Sequence, residues 1–162
     1  MIDAGASVVW GTSSHHIQPI ELYKGGVIIY GPGNLIFQNG FEPDVQTREV
    51  YRPEIGMLVA VEAHRCTRNT RNNSDRGRHS SSWAVGNITL IPSTYTSKAA
   101  RLLSPEATPS DAELVEWFGA KIDAISRPYN TVVRKAHTSA GNSQFSAAAV
   151  SLAGGTCGGC GC

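Results

Sequence analysis

Hydrophobic positions in this chain fall into short, glycine-punctuated runs over its first sixty residues, and a helical repeat emerges only late. Val8-Val9-Trp10 is a brief apolar run closed by Gly11, and Met1 to Ala6 before it has the pattern of a last helical turn capped by Gly5. Ile20-Glu21-Leu22-Tyr23 and Val27-Ile28-Ile29-Tyr30 flank Lys24-Gly25-Gly26. That arrangement predicts two strands joined by a tight turn, with glycine where the backbone needs positive φ. Gly31-Pro32-Gly33-Asn34 ends the second strand, and further strands are expected over 55–62 and 83–91. Ser110 and Glu113 have capping-box spacing, and Leu114, Phe118, Ile122 and Ile125 recur with a helical period until Pro128. One amphipathic helix over 110–126 follows, with Trp117 as a packing residue. Strands interleaved with helical turns make the expected class α/β.

Composition narrows the possibilities. A length of 162 residues suits one domain, and 14 basic against 13 acidic side chains give a formal charge of +1. With only 17% charged residues, this is neither an acid-rich disordered chain nor a generally basic nucleic-acid binder. No apolar run reaches the length of a membrane span and no basic leader precedes an apolar core, so the default expectation is a cytoplasmic protein without a membrane span. The near-neutral total conceals a division. The loop from His64 to His79 carries Arg65, Arg68, Arg71, Arg76 and Arg78 against Asp75, a local charge of +4 that leaves about −3 for the rest. Guanidinium forks match phosphate oxygens. A solvated hairpin insertion is nevertheless the commoner origin of such a loop, and without an aromatic interleaved in it there is no clear nucleic-acid signal.

From His137 onward there is no Asp, Glu, Lys or Arg, and the chain ends Cys-Gly-Gly-Cys-Gly-Cys. Residues 136–162 therefore form an expected low-complexity, disordered tail. Cys157, Cys160 and Cys162 have spacing that suits Cu(I) or zinc, but no fourth ligand follows them, and with Cys66 standing alone they are no disulfide framework.

Candidate chemistry concentrates in Gly11-Thr12-Ser13-Ser14-His15-His16-Ile17-Gln18-Pro19, directly after an apolar strand. Loops leaving the carboxyl ends of strands line ligand crevices in open α/β sheets. Imidazole nitrogens bind Zn, Mn or Fe, yet two histidines are too few for a complete site, and adjacent ones point apart on extended backbone. A hydrogen-bonded pair of loop histidines is the simpler state of such a loop. Ser13 or Ser14 beside a histidine resembles a nucleophile and base by name only, because nothing selects Asp3, Glu21 or Asp44 as the orienting acid.

Taken with Ile2-Asp3-Ala4-Gly5-Ala6-Ser7-Val8-Val9-Trp10-Gly11, Ser13-Ser14-His15-His16, Ile20 to Gly25 and Ile29 to Asn34, the chain resembles the CapA family. These are capsule-synthesis and poly-γ-glutamate biosynthesis proteins of the calcineurin-like metallophosphoesterase superfamily. Asn87 to Pro92 is similar to the family's late strand, and the helix ending near Ser126 to its last helix, so the resemblance extends over about residues 1–133. It implies the C-terminal half of an α/β/β/α sandwich in residues 1–135. It also implies His15 and His16 as metal-centre residues, Ser13, Ser14 and Asn34 as substrate contacts, and a divalent metal (Mn, Fe or Zn) if any is bound. The implied partner is an anionic polymer or a phosphate-containing substrate. Thr12 departs from the histidine usual in the family after this glycine, and the family's Gly-Asp, Asn-x-Glu and Asn-x-x-His segments are not among these residues. The expectation is therefore a CapA-like protein that does not catalyse on its own and self-associates through an exposed sheet edge. The alternatives are a polyanion-binding remnant and a truncated reading frame without independent function.

Overall fold

The computed structural model describes residues 1–35, 51–67, 81–95, 99–136 and 144–149. It is mixed α/β, with two sheets and one long helix among those residues. The smaller sheet contains β1 (Val8–Trp10), β2 (Ile20–Tyr23) and β3 (Gly26–Ile29) in the order β1-β3-β2. β1 runs parallel to β3, and β2 runs antiparallel to it with Ile20 opposite Ile29 and Tyr23 opposite Gly26. The turn between β2 and β3 holds Lys24 at φ 48° and Gly25 at φ 80°. Two successive positive φ values give the turn the twist a two-residue hairpin needs, and glycine takes the second without strain. Ahead of β1, residues Ile2–Ala4 form a 3₁₀ turn that Gly5 closes at φ 100°, as its placement in the sequence predicts.

The larger sheet is built on a long ribbon, β4 (Ile55–Thr67) paired antiparallel with β5 (Ser81–Tyr95). Both strands outrun the expected 55–62 and 83–91. The apolar alternation fades in the outer half, where Ala63, His64 and Arg65 are exposed, while the backbone pairing continues. The register shifts between Val61 and Ala63, so Glu62 faces both Gly86 and Asn87, and Asn87 Nδ2 donates to Glu62 Oε2 at 2.9 Å. Such a bulge bends and twists the ribbon where it leaves the core. On its other side β5 pairs with β6 (Ala100–Leu102) and with β8 (Gln144–Ala149), which in turn pairs with β7 (Thr131–Ala136). The Ser/Ala-rich segment after 136 is thus divided. Gln144–Ala149 is a strand whose Phe145 is buried, while the Cys157, Cys160 and Cys162 end and His137 lie outside the described residues.

Helix α1 (Pro109–Ser126) packs across these elements. The expected Ser110–Glu113 capping box is corrected. Thr108 is the N-cap, accepting from the Asp111 N–H at 3.0 Å and donating to Asp111 Oδ1 at 3.1 Å, with Pro109 at the first helical position. Val115, Phe118 and Ile122 face inward beside Asp111 and Ser126, Leu114 and Ile125 are partly buried, and Trp117 packs against the core as expected. The core joins these side chains to Ile20, Val27 and Ile29 of the small sheet and to Ile55, Met57, Ile88, Leu90, Val133 and Phe145 of the large one. Ser126 Oγ accepts from the Ile20 N–H and Thr131 Oγ1 from the Leu22 N–H, so hydroxyls from the end of α1 and the start of β7 cover the outer edge of β2. No helix among the described residues is long and apolar enough to cross a membrane.

Candidate functional site

The loop between β1 and β2 is held in an unusual backbone conformation. Ser13 has φ 69° and His15 φ 57°, both left-handed positions that L residues occupy at some expense, and two in three residues require the surroundings to enforce them. Three contacts do so. Ser14 Oγ donates to the His16 carbonyl at 2.7 Å, Gln18 N–H bonds to the Gly31 carbonyl, and Asn34 Nδ2 donates to the His15 carbonyl at 3.1 Å.

Asn34 is the centre of this arrangement. It is buried at the point where the first 35 residues meet β4, beside a bridge between Gly33 and Gly56. A Cβ at Gly56 would collide with the Asn34 carbonyl, so glycine there permits the approach. Asn34 Nδ2 reaches the Pro53 carbonyl at 3.1 Å and the Tyr95 hydroxyl at 3.4 Å, which fixes the amide orientation and turns Oδ1 toward His15 Nδ1 at 2.9 Å. An amide oxygen only accepts, so His15 carries a proton on Nδ1. A metal-ligating imidazole is oriented in this way, with the orienting partner supplied here from a separate segment.

The other sequence candidates occupy different places. His16 turns to Gln18, whose Nε2 contacts His16 Nε2, and its ring meets Tyr51 edge-on at 4.9 Å between centroids. The two histidines therefore engage separate partners. Ser14 is committed to the loop backbone, and Ser13 is exposed with its hydroxyl 3.5 Å from that of Thr12. Asn34 serves the loop as a positioning residue. Of the acids considered as orienters, Asp3 binds Lys24 and Glu21 accepts from the Tyr30 hydroxyl at 2.6 Å. That bond pushes the Tyr30 phenol up to about 12. Asp44 and the arginines from Arg68 to Arg78 lie outside the described residues. Tyr51 and Tyr95 were not legible as site neighbours, because each reaches the loop from a segment distant in sequence.

A divalent metal is what the sequence resemblance implies for this loop. The donor chemistry of His15 suits one ligand position, but no group of three or more His, Cys, Asp or Glu side chains gathers to hold an ion among the described residues. Those residues alone do not fit a metal centre.

Asn34→Ala should be costly here. It strands the His15 and Pro53 carbonyls and removes the acceptor that selects the His15 tautomer, for an expected loss of about 2 kcal/mol in urea denaturation. In the same variant, nitrogen NMR shifts of His15 should move from a predominantly Nδ1–H form toward a mixture.

Comparison with known proteins bears on residues around this loop. Residues 1–39 match the family model described as bacterial capsule synthesis protein PGA_cap, a shorter stretch than the 1–133 over which the resemblance extends. The chain is 41% identical over 58 residues to a probable polyglutamine synthesis accessory protein of Mycobacterium tuberculosis, covering 36% of this chain and 14% of that one. It is 46% identical over 41 residues to the PGA biosynthesis protein CapA of Bacillus subtilis, 25% of this chain and 11% of the relative. The capsule biosynthesis protein CapA of Bacillus anthracis is 42% identical over 41 residues, again 25% of this chain and 10% of its own length. The chain thus spans about a seventh or less of the relatives it matches.

Proposed function

We propose that this chain, whose residues 1–39 carry the CapA-family segment, works in the synthesis of a capsule-type anionic polymer such as poly-γ-glutamate. The observation that carries the reading is the coincidence of two things. The matched segment contains the strained Ser13–His16 loop and its Asn34 clamp, and the matched relatives are named for capsule or polyglutamate synthesis. A fold with no use for the loop would have little reason to hold Ser13 and His15 at positive φ or to fix one imidazole tautomer.

His15 is the residue given the working role. The Asn34 bond orients its imidazole as a residue that contacts a divalent ion, or a phosphate or carboxyl group of the substrate, requires, in keeping with a metal-dependent phosphoesterase ancestry. His16 supports the loop through Gln18 and Tyr51, and Ser13, exposed beside His15, is the substrate contact. With a single oriented imidazole, the described residues do not assemble a two-metal clamp.

The test is genetic and chemical. Deleting the gene in its own host should lower the amount of extracellular anionic polymer. The wild-type chain should restore it, and His15→Ala, confirmed as folded by circular dichroism, should not. Unchanged polymer after deletion would refute the proposed function, and full restoration by His15→Ala would remove His15 from it.

A further inference from the structure

Away from the His15 loop, an open cleft of about 360 Å³ lies between the β2–β3 turn and the β4–β5 ribbon, lined by Ile2, Gly5, Ser7, Lys24, Gly25 and Trp83 among others. Its walls are tied together. Ser7 Oγ donates to the Trp83 carbonyl at 3.2 Å, and the Val85 N–H points at the Gly25 carbonyl at 3.5 Å. Trp83 is 56% exposed, so its indole is open to contact from solvent. A Cβ at Gly5 or Gly25 would meet no atom within 4 Å, so both turns face open space.

Lys24, which lines the cleft, is already paired with a carboxylate. Lys24 Nζ lies 2.6 Å from Asp3 Oδ1, and the Tyr23 hydroxyl donates to Asp3 Oδ2 at 3.4 Å. Both charged side chains are more than half exposed. The Lys24 bond holds the Asp3 carboxyl below its ordinary range. An ammonium and a phenol that bind an internal carboxylate at an open surface present the same donors to a carboxylate arriving from solvent, and an exposed ion pair exchanges partners with little net change in free energy. Arg65, directly opposite Trp83 in the ribbon, adds a second cation on the same arm.

We propose that this cleft binds a segment of a polymer bearing carboxylates along an aliphatic chain, with methylene groups against the Trp83 indole and one carboxylate on Lys24 in place of Asp3. Naming the polymer rests on the proposed function; the cleft itself shares no lining residue with the His15 loop. A lysine point charge beside one aromatic platform suits a flexible carboxylate chain. Single-stranded nucleic acid is bound on successive stacking platforms with cations tracking the backbone, and the cleft offers one such platform. Asp3 then acts as an internal competitor for the ligand's place.

Calorimetric titration of the full chain with poly-γ-glutamate at low salt tests this. Trp83→Ala should weaken binding about tenfold and Lys24→Ala several-fold, on the scale of aromatic and exposed ionic contacts. Asp3→Asn should tighten it about threefold by removing the competitor. Glu116→Gln, which neutralises an exposed acid on α1 paired with Lys135, should leave it unchanged. Equal affinity in the wild type and in Trp83→Ala or Lys24→Ala overturns the proposal, as does an equal gain from Asp3→Asn and Glu116→Gln. Tighter binding of a single-stranded oligonucleotide than of poly-γ-glutamate overturns it as well. None of these outcomes touches the deletion and His15→Ala test, so the two readings fail separately.

Discussion

Phe145→Ala should cost the fold about 3–4 kcal/mol, the largest single loss expected from a residue in this chain. Phe145 is 4% exposed and meets Phe118 edge-on with 5.2 Å between ring centroids, the geometry that aromatic quadrupoles favour. Its ring also lies over Gly119, where any side chain on the helix would collide with it, so α1 and β8 approach as closely as the backbone permits. Truncation would empty the space between the helix and the large sheet, and the neighbouring strands, fixed by pairing on both sides of β8, have little freedom to collapse into it. Thermal and urea denaturation monitored by far-ultraviolet circular dichroism would measure the loss. Because stabilities of 5–15 kcal/mol are usual, a deficit of this size would leave a detectable unfolded fraction well below the wild-type midpoint. A Phe145→Ala chain as stable as wild type would mean that Gln144–Ala149 does not belong to the cooperative unit.

The second large effect is electrostatic. Asp111 has a side chain only 1% exposed, and it accepts from Arg101 Nη1 and Nη2 at 2.5 and 2.7 Å, from the Ser104 N–H at 3.3 Å and from the Thr108 hydroxyl. The Arg101 guanidinium is the main reason its carboxyl is held at about 2, with the Ser104 and Thr108 donors adding to it against the opposing effect of burial. Asp111→Ala is expected to lose about 2–3 kcal/mol, because the Ser104 amide and the helix cap lose a buried acceptor while Arg101, 53% exposed, falls back to water.

The sign of the accompanying pH dependence follows from the direction of the shift. The folded state binds the Asp111 proton more weakly than the unfolded chain, whose carboxyl titrates near pH 4. The contribution is therefore complete above about pH 4 and is lost as the pH falls through about 2. Allowing for the exposed arginine, about 1–2 kcal/mol of stability should disappear across that window in the wild type. In Asp111→Ala the same component should be absent, which parallel denaturation series between pH 5 and pH 2 would reveal.

Much of the scaffold was readable from local pattern, and the exceptions have physical causes. The β2–β3 hairpin, the Gly5 cap and the body of α1 follow from chemistry acting over a few residues, namely positive φ at glycine and a repeating apolar face. The cap itself was misplaced by two residues. Ser110 and Glu113 have the right spacing, but Pro109 fits the first helical position, which moves the capping hydroxyl to Thr108 and its partner to Asp111. β8 was hidden because a lone phenylalanine in a run of serine and alanine gives no alternation; only its contact with Phe118 identifies it as core. The outer ribbon was hidden for the opposite reason, since exposed strands carry polar side chains on both faces and look like loop. At the site, the loop and its histidines were found from position after a strand, and the divergence of His15 and His16 was expected from their adjacency. The partner that fixes the His15 tautomer, contributed by a turn nineteen residues on, emerged only from the packing of Gly33 against Gly56.

The two hydroxyls that meet the backbone of β2 have a consequence for how the small sheet can be extended. Ser126 and Thr131 take the outward N–H groups of Ile20 and Leu22, so that margin offers an incoming strand no free donors at those positions and is plugged by side chains of the same molecule. β1 forms the opposite margin, with Val8 and Trp10 both more than two-fifths exposed. Among the described residues, the margin left open to a further strand is therefore the one beside β1, the strand that feeds the His15 loop.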